Sequence, residues 1–164
     1  MEKEVVSKLV VALFIGGSVG FLTASTTTGS GAAQSVLDDY PVDLSRSGMH
    51  THDQRNVPES EAPSVNLEVE EDPMMAGNYI LNIQTENFEF APNSVSSDHV
   101  LGEGHAHVFV NDVKISRAFG SYYHLPKLKP GTHTIMVTLN TNEHEEYAVN
   151  GESISDSTTV EFQP

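Results

Sequence analysis

The stretch GEGHAHVFVNDVKIS, residues 102–116, decides how this chain folds. Asn111-Asp112 suits a two-residue turn, because both residues tolerate positive φ. The flanks, 105–110 and 113–119, then read as the arms of a hairpin. A tight turn pairs Val110 with Val113, Val108 with Ile115 and Ala106 with Arg117. Between these lie Phe109 with Lys114, His107 with Ser116 and His105 with Ala118. Residues paired across two strands share a face. One face therefore carries Ala106, Val108, Val110, Val113 and Ile115, and is the core side. The other carries His105, His107, Phe109, Lys114 and Ser116, so the two imidazoles point away from the core.

Outward from the hairpin, the same alternation recurs in short runs. Strands are expected over 78–83, 88–90 (closed by Ala91-Pro92-Asn93) and 122–125, which ends at Pro126. Another is expected over 132–140, with Ile135, Val137 and Leu139 on one face. A last pair is expected at 147–149 and 157–162, with Asn150-Gly151 as a turn. Leu128-Lys-Pro-Gly-Thr-His-Thr-Ile135 looks like a turn followed by strand entry: proline presets the turn and glycine supplies its positive φ. No run shows a sustained 3.6-residue apolar period. Six to eight short strands with Gly/Pro/Asn turns predict an all-β domain over 76–164, an immunoglobulin-like β-sandwich.

The preceding sequence has a different character. Residues 9–24 are apolar and uncharged, with Lys3 and Lys8 ahead of them. That pattern predicts a hydrophobic helix over 1–24, a signal peptide or a signal-anchor. Membrane contact would then be confined to residues 5–24. The expected location is the periplasm or the outer side of the cytoplasmic membrane. Residues 25–75 are rich in Thr, Gly, Pro and acidic side chains, and read as a flexible linker.

Composition narrows the function classes. A chain of 164 residues holds one domain plus a flanking segment. Its 23 acidic against 8 basic residues give a formal charge of -15, which repels nucleic acid. With no cysteine there is no disulfide, thiolate metal site or thiol nucleophile. No Gly-X-Ser-X-Gly, His-Glu-X-X-His or phosphate loop occurs, so no catalytic residue is assigned and the chain reads as a non-enzyme. The acidic run 68–72 lacks the alternating oxygen-ligand loop of a calcium site and reads as a solvated tract.

The histidines remain. A His-X-His strand sets two imidazoles on one side, with Cα atoms about 6–7 Å apart. Further donors lie nearby in sequence: His99, His124, His133 and His144. Without thiolates, imidazole and thioether donors select copper or zinc. The expected ligands are His105 and His107, then His124, with His144 or a methionine as fourth. Met49, Met74, Met75 and Met136 are the available thioethers, and a soft thioether favours copper over zinc. Asp98 and Glu103 are candidate outer partners that would fix an imidazole tautomer. Met49-His50-Thr51-His52 repeats the His-X-His spacing, but in a polar linker chance is the better account.

At Gly102-Glu-Gly-His-Ala-His-Val-Phe-Val110, Tyr123-His-Leu-Pro126 and Pro130-Gly-Thr-His-Thr-Ile135, the chain resembles a family of small exported bacterial domains of unknown function. These share a Gly-His-X-His strand, a downstream histidine and a Pro-Gly-X-His turn. The likeness spans roughly residues 78–162, and Asn87–Pro92 and Asn140–His144 are similar as well. A histidine of that family's first strand is Asn82 here, which weakens any site built on that strand. The resemblance implies a β-sandwich and an exported location more than an activity.

Two functions follow as expectations. One is an extracytoplasmic metal-binding module, with copper favoured, acting as carrier, scavenger or sensor. The alternative is a non-catalytic assembly domain without metal. It would present its His/Phe/Lys face and Tyr122-Tyr123 to a periplasmic or membrane protein.

Overall fold

The computed structural model describes residues 53–164. The expected N-terminal helix, residues 1–24, and the Met49-His50-Thr51-His52 motif lie outside the described residues. The described part is mostly β-structure in two sheets, as the alternation predicts.

The strands are β1 (Gln54–Asn56), β2 (Ser64–Glu71), β3 (Tyr79–Glu86), β4 (Glu89–Phe90), β5 (Glu103–Val110) and β6 (Val113–Ala118). They continue as β7 (Tyr122–Leu125), β8 (Gly131–Asn140), β9 (Glu146–Val149), β10 (Glu152–Ser153) and β11 (Ser155–Phe162). The larger sheet runs β1-β9-β8-β5-β4, with β10 on β9, β11 on β8 and β6 on β5. The smaller sheet is β2-β3-β7.

Three expectations need correction. Residues 53–75 belong to the folded part, since β1 and β2 lie there. β2 was hidden by its acidic residues: Glu68 and Glu70 alternate with Leu67 and Val69, which turn inward while the carboxylates stay wet. The last two strands do not pair with each other. β9 turns at Asn150-Gly151, both at positive φ, into β10, while β11 pairs with β8 along eight residues. The hairpin register also slips by one.

The Asn111-Asp112 turn forms as expected, with φ of 50° and 64°. Val110 faces Val113 and Phe109 faces Lys114. Beyond that Ile115 is an extra residue, a β-bulge, so Val108 meets Ser116, His107 meets Arg117 and Ala106 meets Ala118. The bulge reconciles two demands. Ile115 and Ala118 both pack on the core side, three residues apart, which an unbroken period of two forbids.

One core lies between the sheets. Tyr79, Leu81, Ile83 and Leu125 of the small sheet pack with Ala106, Val108, Val110, Ile135, Val137 and Leu139 of the large one. Among the described residues, no helix is long and apolar enough to cross a membrane.

The two central strands also come unusually close at one end. A Cβ added at Gly104 would lie 1.8 Å from the Asn140 carbonyl oxygen. Only glycine permits that approach, and it brings the start of β5 against the end of β8.

A histidine cluster on the outer face of the large sheet

The outer face of β5 carries His105, His107 and Phe109, as the hairpin reading predicts. It is not a wet surface, however. Both histidines are fully buried, and so are their β8 neighbours Thr138 and Asn140. The register sets His105 beside Asn140 and His107 beside Thr138. Exposure grades along this face: on β8, Thr134 is exposed, Met136 is half-buried and Thr138 is buried.

The β8–β9 loop, residues 141–145, supplies the third imidazole. His144 sits in the left-handed region at φ 72°, and its N–H donates to the Thr141 carbonyl. The Asn140 side-chain amide donates to the His144 carbonyl at 3.4 Å, and Thr138 Oγ1 donates to Asn140 Oδ1 at 2.8 Å. A chain of polar groups thus ties the loop to the strand and turns His144 back over His105.

The ring nitrogens converge. His105 Nε2 lies 3.0 Å from His107 Nε2 and 3.3 Å from His144 Nδ1. All three nitrogens lie within 4.8 Å of one another. Three nitrogens bound tetrahedrally at about 2.0–2.1 Å from one ion would stand about 3.4 Å apart. Two of the separations are already near that value. The triad can hold a metal ion.

Electrostatics keep His105 in the form a metal needs. Burial pushes its pKa down to about 4, helped by His144, Arg117 and Lys114. It is therefore neutral near pH 7, the form in which an imidazole can ligate a metal. Its Nδ1 is buried with no hydrogen-bond partner, a cost of about 1–3 kcal/mol. His144 is oriented from outside: Ser96 Oγ meets its Nε2 at 3.0 Å, leaving Nδ1 for the cluster. Ser96 is itself held by its N–H on the Asn142 carbonyl, at 2.8 Å. The Phe119 ring, 5.6 Å from the His105 ring, borders the site.

The structure brings together His105, His107 and His144, but not His124. His124 lies on β7 in the other sheet, exposed, with Nε2 3.2 Å from Asp72 Oδ2. Proximity in sequence misplaced it, because the chain changes sheets between β6 and β7. His133, another nearby donor, is fully used by the fold. Its Nε2 donates to the Lys129 carbonyl at 2.8 Å, and its Nδ1 accepts from Asn111 Nδ2 at 3.1 Å. Of the expected outer partners, Asp98 is exposed and Glu103 accepts from Asn142, at 3.4 Å. Ser96 was missed, since a serine in a polar loop carries no signal of its own. No protein family, curated protein or solved structure matches this chain.

Proposed function

We propose that this protein is a non-catalytic metal-binding module of immunoglobulin-like β-sandwich type, holding one ion through His105 Nε2, His107 Nε2 and His144 Nδ1. The observation that carries this reading is the convergence of three imidazole nitrogens on one point, two of them from the buried His105 and His107 and one from the half-buried His144. Copper is favoured over zinc, because nitrogen donors bind Cu(II) most tightly among the divalent first-row ions. The N-terminal sequence supports an exported module that carries, scavenges or senses its ion outside the cytoplasm.

The full chain would be titrated with Cu(II), with Cu(I) under reducing conditions and with Zn(II), and its metal content measured after dialysis. One retained equivalent is expected. His105→Ala/His107→Ala should weaken retention by more than about 100-fold, exceeding what loss of one outer partner does. Equal, weak, multi-site uptake by parent and variant would sink the reading.

A second reading, an assembly domain, is favoured by Tyr122, which stands 71% exposed on the short strand β7. If metal is not retained, Tyr122 and its strand are where a protein partner should be sought.

A further inference from the structure

The histidine cluster contains no carboxylate among the described residues, in a chain where acids outnumber bases 23 to 8. Its β6 flank is basic, while on the opposite side Glu146 stands in register with Asn140. The bulge in β6 sets Arg117 directly across from His107, and Lys114 directly across from Phe109. Cross-strand partners share a face, so both cations stand on the outer face with the triad. Among the described residues, neither forms an ion pair within 4.0 Å. Each nonetheless bears on its surroundings. Both oppose a proton on His105, and Lys114 is pushed below its ordinary pKa by burial and then by Arg117, with Glu146 pulling the other way. Glu146 is partly engaged elsewhere, accepting from Ser153 Oγ at 2.6 Å.

Two like charges side by side, without a paired anion, are costly where one of them, Lys114, is half-buried. A divalent ion held by three neutral imidazoles would add two more positive charges. Nothing in the ligand set neutralises them. Three protein donors also leave a four-coordinate ion with one open position.

We propose that this site takes a small oxyanion together with the metal. One oxygen of the anion fills the open coordination position, and Arg117 and Lys114 hold its outer oxygens. The chemistry fits a carbonate, phosphate or small carboxylate, because a guanidinium donates two parallel N–H bonds to such groups. Arg117 is exposed on β6, in register with His107. The inference rests on the metal reading above and adds the ligand class that completes it.

The test uses the full chain loaded with one equivalent of Cu(II) in perchlorate at fixed ionic strength. Bicarbonate and inorganic phosphate are titrated in turn, while the Cu(II) visible band and its electron paramagnetic resonance spectrum are followed. The expected result is a saturable spectral change with at least one anion. It should be at least tenfold tighter in the parent than in Arg117→Gln/Lys114→Gln, with metal content equal in both. Thermal unfolding of the double variant checks that it remains folded, and Arg117→Lys should restore part of the effect. A loaded protein whose spectrum ignores both anions overturns the inference and leaves the metal reading standing. So does an anion response of equal strength in parent and variant. Failure of the parent to retain copper removes the metal reading and the inference with it, and the metal analysis alone reveals that case.

Discussion

His133 and His105 lie on the two central strands of the same sheet, and both are buried, yet their nitrogens are used in opposite ways. His133 spends both on the fold. One ties β8 to the Lys129 carbonyl and the other accepts from Asn111, whose Oδ1 in turn accepts the Thr134 N–H at 3.0 Å. It is a clasp between the hairpin turn and the next strand. His105 directs Nε2 at two other imidazoles and leaves Nδ1 buried with no hydrogen bond. Burial alone therefore does not tell a histidine spent on the fold from one that could hold a ligand. The destination of each nitrogen does.

The sharpest way to break the comparison is to disturb the close approach beneath the cluster. Gly104→Ala would drive a methyl group into the Asn140 carbonyl oxygen, which is backbone and cannot swing aside. A loss of at least about 3 kcal/mol is expected in urea unfolding, at the upper end of overpacking costs. Gly120→Ala meets nothing within 4 Å and serves as the near-neutral control. Equal midpoints for the two variants would refute the steric account.

Acid should act on His105 next. His105 binds a proton only near pH 4 in the folded chain but near 6.5 when unfolded. Between those values the unfolded state holds more protons, so stability rises with pH. The contribution is full above about 6.5 and is lost as pH falls towards 4, on the order of 3 kcal/mol in total. His144, Arg117 and Lys114 face this group and set the direction together with burial. Urea midpoints of the metal-free protein from pH 7 to 4 would measure the slope, and His105→Gln should flatten it. An unchanged slope in that variant would place the acid sensitivity elsewhere.

The smallest effect belongs to the clasp. His133→Ala leaves the Lys129 carbonyl and Asn111 Nδ2 without their partner and should cost about 1–3 kcal/mol. Retention of any ion held by the triad should not change. If metal retention falls along with stability, the clasp and the cluster are coupled, and the contrast drawn between them fails.

Much of the sheet was readable from alternation. β7 was expected over the residues it occupies, β8 within one residue, and the Ile135/Val137/Leu139 face is the core face. β2 was not readable, because an edge strand whose outer face is glutamate resembles an acidic linker. The site divides in the same way. His105 and His107 follow from a period of two, which is local. His124 was ranked ahead of His144 on nearness in sequence, and the structure brings in His144 instead, because the answer depends on which strand crosses to the other sheet. The burial of the pair was likewise invisible, since the 141–145 loop that supplies His144 is set by Asn140, Thr141 and Ser96, three ordinary polar residues.

The bulge at Ile115 works as a reading-frame device for the surface. Were Ile115 kept but paired in the regular ladder, every residue downstream would exchange the outward face for the inward one. That pairing would withdraw Arg117 from His107 and present Ser116 there instead, without touching any of the three imidazoles. Among relatives of this chain, a one-residue deletion at Ile115 should therefore remove the bulge and leave Arg117 across from His107. Alignments of such sequences need to be anchored on Asn111-Asp112 and on Ala118 separately, not drawn as one ungapped strand.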